Sequence, residues 1–325
     1  QVYIENNAGL ESGITNEDYI SVGANILDDV SDVWNKSDMI VKVKAPLKEE
    51  FKYLREGLIL FCYLHLAAYP ELTQELVKTK TIAIAFETIE TEDGMLPALK
   101  PMSAIAGRLS VIIGANLLRK SQGGSGVLMT GLENVRNSNS IILGAGNVGI
   151  NALQVLVGFN TNITVLDVSG ERLRVLKQIY KDRITTLKST DEHLRESIIN
   201  ADLIIGSVSV PGASTPKLIK KEYYKDMKKG SVIVDVAIDQ GGSSDYSRPT
   251  THDEPTYIEE DIIHYCVPNI PGDVALTSTE ALSQGIEKYV LLLSNNKIND
   301  LIDRNIEIRK GVNVINGKIK NEKLL

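Results

Sequence analysis

The chain has 325 residues, 35 Lys and Arg against 42 Asp and Glu, a net charge of −7, and 43% apolar residues. That length corresponds to about two domains at roughly 100–200 residues each, so a single small module is excluded. The acidic balance argues against nonspecific nucleic-acid binding and against an anionic membrane surface, which both need clustered positive charge; the longest apolar stretch, 58–68 with His65 inside it, is well short of the about 18 residues of a spanning helix.

The chain opens at Gln1 rather than Met and enters the strand-like run Val2-Tyr3-Ile4-Glu5 with no secretory signal pattern, so an N-terminal piece is expected to precede it. From there to about Pro97, short apolar strands (2–5, 25–27, 39–44, 58–64 and 81–86) alternate with amphipathic helical segments, the pattern of a parallel sheet covered by helices. Ile40, Val41 and Val43, then Ile59, Leu60 and Phe61, are the near-continuous apolar runs of strands buried on both faces. Residues 101–120 carry small and apolar residues at helical spacing and lead into Ser121-Gln122-Gly123-Gly124-Ser125-Gly126, a connecting helix and a joint. A second strand series follows at 140–143, 163–166, 184–187, 201–205, 231–236 and 262–267. Residues 278–295 are again helical in spacing, and the tail 311–325 reads as polar and strand-poor.

The expected fold is therefore α/β with two domains, a Rossmann dinucleotide-binding domain and a second parallel-sheet α/β domain. The boundaries are 1–98 for the first part of the catalytic domain, 99–275 for the dinucleotide-binding domain with its connecting helix, and 276–325 for the C-terminal part of the catalytic domain. Cys62 and Cys266 lie in apolar, strand-rich stretches without metal-ligand spacing and read as core residues in a reducing cytosol, which makes the expected location cytoplasmic with no metal.

Strand 140–143 runs into Gly144-Ala145-Gly146-Asn147-Val148-Gly149, then a helical run 150–159, a strand 163–166 and Asp167. Strand, glycine turn, helix, strand and acid stand in the order that binds a dinucleotide: Gly144 for the tight turn, Gly146 for close approach of the pyrophosphate, Gly149 for helix-to-strand packing, and Asp167 for the adenosine ribose hydroxyls. No positive residue follows Asp167 immediately, which favours NAD over NADP. Arg172 either reaches the adenine or a phosphate or stands as an exposed helix arginine. Ser189-Thr190-Asp191-Glu192 fits a capping box with Ser189 as the cap. Asp202 and Asp235 read as structural, His264 as a satisfied core histidine, His252 as turn chemistry and His193 as a solvated helix face.

Ligands of open parallel sheets sit at the carboxyl ends of strands, where the first domain carries Lys44, His65 and Glu87. An imidazole there can act as acid and base near neutral pH, and an ammonium beside it can polarise a carbonyl or pair with a carboxylate, although a polar residue at a strand end commonly just meets solvent. The second sheet contributes the strand-end loops Ile238-Asp239-Gln240-Gly241-Gly242 and Pro268-Asn269-Ile270-Pro271-Gly272 on its nucleotide side.

With these pieces in order, the sequence resembles the alanine dehydrogenase family, which is related to the nucleotide-binding alpha subunit of the proton-translocating transhydrogenase. The matching motifs are Lys42-Val43-Lys44-Ala45-Pro46, Tyr63-Leu64-His65-Leu66-Ala67, Pro101-Met102-Ser103, Ala106-Gly107-Arg108, Gly144 to Gly149, Val234 to Gly242, Thr250-Thr251-His252-Asp253, and Asn269 with Pro271-Gly272. The resemblance implies NAD-dependent oxidative deamination of L-alanine to pyruvate and ammonium, and the reverse, in a homohexamer. It implies that Lys44 binds the 2-oxo acid, that His65 is the acid/base, that Asp239 and Asn269 lie beside nicotinamide and substrate, and that Ser103, Gly144, Ala145, Gly146, Asn147, Val148, Gly149, Asp167, Arg172, Ser189 and the Val208 to Val210 region line the cofactor. The chain departs from the family pattern at Ala104, Lys188, Ile270, Ala275-Leu276 and Leu132-Glu133-Asn134, and the family's first strand and helix, with a carboxylate-binding arginine, have no counterpart. The alternatives are a dehydrogenase of another small amino acid or 2-oxo acid, and a non-catalytic or transhydrogenase-like NAD(H)-binding subunit.

Overall fold

The computed structural model describes residues 1–208 and 214–321. The chain divides into two compact units, 1–102 with 274–325, and 103–273. Its strands in chain order are β1 (Tyr3–Glu5), β2 (Asn25–Leu27), β3 (Met39–Val41), β4 (Ile59–Cys62), β5 (Ile82–Ala85), β6 (Asn139–Leu143), β7 (Asn162–Asp167), β8 (Ile184–Lys188), β9 (Leu203–Gly206), β10 (Val232–Asp235), β11 (Thr256–Glu259), β12 (Ile262–Tyr265), β13 (Val312–Ile315) and β14 (Lys318–Ile319). Among the described residues no helix is long and apolar enough to cross a membrane.

In the first unit β3, β4 and β5 are parallel neighbours; the buried runs of β4 and β5 fit that place, but β3 is the edge strand, and Val41 and Val43, expected to be buried on both faces, are exposed. Side chains alternate between faces along each strand. Phe61, Ile82 and Ile84 pack on one side with Leu282, Ile286 and Tyr289 of the helix Ala275–Asn295. Leu60, Cys62, Ala83 and Ala85 pack on the other with Leu72 and Leu76 of the helix Pro70–Thr79. Two further expectations are corrected here. β1 and β2 pair with each other in a small parallel sheet and do not join β3–β5, consistent with their having no fully buried residue. The tail is not strand-poor: β13 is buried along its whole length and runs antiparallel to β5, and β14 returns antiparallel to β13. The intervening Asn316 and Gly317 both have positive φ, 54° and 68°, the geometry that Asn-Gly supplies to a tight hairpin.

The second unit holds a sheet in the order β11-β12-β10-β9-β6-β7-β8, parallel except for β11, an antiparallel edge absent from the strand series expected from sequence. Leaving β6, the chain builds β7 and β8 on one side, then crosses back to place β9 on the other. This is the topological switch point of a doubly wound sheet, and it lies at the carboxyl end of β6, where the glycine turn stands. Ile142, Val165 and Val234 pack beneath one layer with Leu153, Leu156, Leu173 and Leu176 of the helices Asn147–Leu156 and Gly170–Tyr180, while Ile141, Leu166 and Ile233 pack beneath the other with Leu194 and Ile198 of the helix Asp191–Ile199.

His264, on β12, is fully buried and its ring lies nearly parallel to those of Tyr257 (4.8 Å) and Tyr224 (5.7 Å). It is only half satisfied: Nε2 lies 3.1 Å from the Tyr224 hydroxyl, and buried Nδ1 has no hydrogen-bond partner among the described residues. Burial, helped by the charge of Arg248, lowers its pKa to about 4. A histidine whose pKa is lower folded than unfolded stabilises fully above its unfolded value near 6.5, and that stability drains away as pH falls from 6.5 toward 4. The drop amounts to roughly 3 kcal/mol. Denaturant midpoints measured across pH 7 to 4 should therefore fall less steeply in His264→Phe than in wild type; parallel profiles would show that His264 contributes nothing to acid lability.

Candidate active site

In the first unit the β3–β4 ladder continues past its regular residues, with the Lys42 N–H donating to the Phe61 carbonyl (3.3 Å) and the Tyr63 N–H to the Val43 carbonyl (3.0 Å). This carries Lys44 and Tyr63 out to the carboxyl rim side by side. Tyr63 is buried, its hydroxyl donates to the Ala98 carbonyl at 2.7 Å, and its ring meets Phe86 edge-on at 5.0 Å. Over that fixed ring lie the Lys44 ammonium, 6.0 Å from the centroid, and the His65 imidazole, nearly parallel at 6.0 Å and 9°. Lys44 and His65 are both exposed, so a polar ligand can reach them. Lys42, two residues earlier, is instead paired with Glu50. The Tyr63 hydroxyl is pushed far above its usual range by burial and then by the Glu87 charge, so it stays neutral. Burial likewise raises both free cysteines, Cys62 far up and Cys266 to about 12, which keeps them out of nucleophilic chemistry.

In the second unit the glycine turn has the form its spacing predicts. Gly144 has φ of 102°, in the left-handed region open to glycine. A Cβ on Gly149 would stand 2.0 Å from the Gly144 carbonyl oxygen, whereas one on Gly146 would meet nothing within 4 Å among the described residues. The turn is thus closed where helix and strand meet and open where a phosphate would approach. Asp167, at the end of β7, accepts the Ala145 N–H at 2.6 Å and the Ser169 N–H at 2.7 Å. Each of its oxygens keeps a second lone pair for a ribose hydroxyl. The Arg172 guanidinium lies 4.0 Å from the same carboxylate, and the two residues are 61% and 6% exposed. A hollow of 190 Å³ beside the turn is lined by Ala145, Ile150, Glu171, Arg172, Val175 and Leu176. A larger one of 390 Å³ lies toward the amino ends of β6 and β7, at Asn139, Asn162 and His193, away from the turn.

Ser189 is not the helix cap. Thr190 caps Asp191–Ile199 by accepting the His193 N–H, and the Ser189 N–H donates to the Asp167 carbonyl, which brings Ser189 beside the end of β7. Val208 stands next to Gly144, and a Cβ there would meet its side chain at 3.0 Å. The rest of the expected 208–210 cofactor segment lies outside the described residues. Ser103 is half-buried on the helix Leu99–Leu117. Ser207, which sequence reasoning did not single out, is buried and donates its hydroxyl to the Leu143 and Gly144 carbonyls, tying β9 to the turn.

Asp239 is exposed on the short helical turn Val236–Gln240. That turn is held by Asp235, fully buried, which accepts the Ala237 and Ser243 N–H groups and the Ser247 hydroxyl; burial nevertheless raises its pKa. Asn269 has φ of 61°, and its carbonyl accepts the Gly272 N–H at 2.8 Å with His252 Nε2 at 3.2 Å. His252 therefore does more than close its own turn. Ile270 beside it is buried, a core residue of this unit. Asp202 is structural as expected: burial works against its charge, but hydrogen bonds from Arg136 and the Asn139 N–H, with Lys228, outweigh that and lower its pKa.

A doubly wound sheet with an open glycine turn at its switch point and a carboxylate at the end of the next strand defines a dinucleotide-binding α/β protein. Residues 1–106 match the family described as "Alanine dehydrogenase/PNT, N-terminal domain" and residues 110–322 its C-terminal domain; the chain belongs to the alanine dehydrogenase/PNT family. It is 47% identical to the alanine dehydrogenase of Methanococcus maripaludis over 323 residues, 99% of this chain and 87% of that one. It is 45% identical to the alanine dehydrogenase of Bacillus subtilis over 323 residues, 99% and 85% of the two chains. Among solved structures, an L-alanine dehydrogenase matches with a TM-score of 0.94 at 40% identity, covering 100% of this chain and 89% of that one. The transhydrogenase of Sinorhizobium meliloti matches in fold, with a TM-score of 0.83 at 18% identity over 98% and 91% of the chains.

The Asp167 carboxylate predicts cofactor choice. A 2′-phosphate beside it is disfavoured by roughly 1–3 kcal/mol, about 5- to 150-fold in affinity. Fluorescence titration should show NADH binding tighter than NADPH by that factor, and equal affinities would remove Asp167 from the ribose site.

Proposed function

We propose that the chain is an NAD-dependent enzyme that interconverts L-alanine with pyruvate and ammonium. The observation that carries the reading is the pair formed by the Lys44 ammonium and the His65 imidazole over one fixed tyrosine ring at the carboxyl rim of the first unit. Binding a dinucleotide alone requires neither group. When bound, NAD supplies a two-electron acceptor for the hydride that leaves the amino acid Cα. Gly144 to Gly149, Asp167, Arg172, Ser189 and Val208, with Ser103, would hold it.

Lys44 binds the carboxylate or oxo group of the 2-oxo acid and polarises it as a compact cation. Loss of hydride from Cα leaves an imine, and water adds to its carbon. His65 takes a proton from that water and returns one to the departing ammonia, which an imidazole can do in both directions near neutral pH. By family resemblance, Asp239 and Asn269 would lie beside the nicotinamide. The assembly is a homo-oligomer, a hexamer by family resemblance, acting on small molecules in the cytoplasm. The acidic charge balance and the two buried free thiols support that setting.

The primary test is spectrophotometric: NADH should be consumed when pyruvate and ammonium are both present and not when either is omitted. In His65→Ala, turnover should fall by about 10²- to 10⁴-fold, the contribution of a positioned acid or base, with NADH affinity near wild type. Unchanged turnover per folded molecule would remove His65 from the chemistry.

A further inference from the structure

Glu87 stands on the short turn Phe86–Thr88 that follows β5, anchored by fully buried Phe86. Its two oxygens accept two consecutive backbone N–H groups of the neighbouring strand end, Oε1 from His65 at 2.6 Å and Oε2 from Leu64 at 3.2 Å. Those amides lie just beyond the last ladder bond of that strand, from the Tyr63 N–H to the Val43 carbonyl. His65 itself is in the left-handed region, φ 47° and ψ 41°, which is uncommon for a residue with a Cβ. Among the described residues no salt bridge forms to Glu87, so its charge is directed at these two amides.

We propose that Glu87 is the positioning residue for His65: by clamping the Leu64 and His65 amides it fixes the left-handed turn that lays the imidazole against Tyr63. The proposal rests on the reading of His65 as the proton-handling group. A purely structural need at this turn could be met by a neutral acceptor or by glycine at position 65. A half-buried carboxylate spanning two amides, opposite a strained histidine, instead selects one direction for one side chain. Tyr63 sets the plane against which the imidazole lies, and Glu87 sets the rotation of the residue that bears it.

The test combines Glu87→Ala, Glu87→Gln and each change in a His65→Ala background. Glu87→Ala should lower kcat by about 10- to 100-fold, the scale of a misplacement of about 1 Å, while NADH affinity stays within about twofold. Glu87→Gln keeps one carbonyl acceptor and should lose less. In the His65→Ala background, Glu87→Ala should cost less than about twofold more, because the group it positions is gone. The same factor in both backgrounds would overturn the proposal. A readout independent of turnover is the NMR spectrum of the substrate-free protein. The His65 amide proton should lose the downfield shift of a charge-assisted hydrogen bond in both Glu87 variants, and its ring resonances should move; unchanged His65 resonances would overturn the proposal. Should Glu87→Ala not fold, Glu87→Gln carries both measurements. A wild-type protein inactive on pyruvate and ammonium would refute the proposed reaction, while the His65 resonances still decide whether Glu87 orients the ring.

Discussion

Where a parallel sheet ends, its hydrogen-bond ladder stops and the next backbone amides need other acceptors. In this protein a carboxylate at a strand end repeatedly takes two of them. Glu87 after β5 accepts from Leu64 and His65, Asp167 at the end of β7 from Ala145 and Ser169, and Asp235 at the end of β10 from Ala237 and Ser243. Every turn that carries a candidate functional residue on a strand end next to one of these acids is thereby tied to the rigid sheet rather than left to loop chemistry. A site needs its groups held to a fraction of an ångström, and fixing the backbone is the direct way to do that.

The three acids differ in burial, and the difference sorts their roles. Asp235 is fully enclosed, and its raised pKa marks it as an internal brace of the Asp239 turn. Asp167 is nearly buried yet opens on the glycine turn, so its remaining lone pairs can face a ligand. Glu87 is half-buried and acts on a neighbour's backbone. A sequence displays all three as an acid near a strand end; only the fold separates brace, ligand contact and orienting group.

Much of this was legible beforehand because the signals are local. The glycine turn with its flanking strands, helix and Asp167 is one continuous stretch, and the doubly buried runs 59–62 and 82–85 name their own environment. Lys44 and His65 stand out by the rule that parallel sheets present ligands at one edge. What escaped was nonlocal or ambiguous. Tyr63 reads as one more core aromatic until Lys44 and His65 are seen over its ring. Ser189 and Thr190 compete for one cap, and hydrogen bonding to His193 decides for Thr190. The C-terminal hairpin is hidden by the polar residues around it, although Asn316-Gly317 between Val314-Ile315 and Lys318-Ile319 is itself a hairpin signal.

That hairpin governs the order in which the protein can be completed. The strands of the nucleotide-binding unit all come from one uninterrupted stretch, whereas β5, the strand leading to Glu87, has β13 as its antiparallel neighbour, and β13 is among the last segments of the described chain to be synthesised. The Phe61 face of the same sheet also waits for the helix Ala275–Asn295. A chain emerging from the ribosome can pair β6 through β12 while β3 to β5 still lack an edge partner and one covering layer, and such long-range closure is slow because its entropy is lost before any contact rewards it. The unit bearing Lys44 and His65 is thus the last to acquire its final form, and until then its exposed β5 edge is the place where a nascent chain is most open to pairing with the wrong strand.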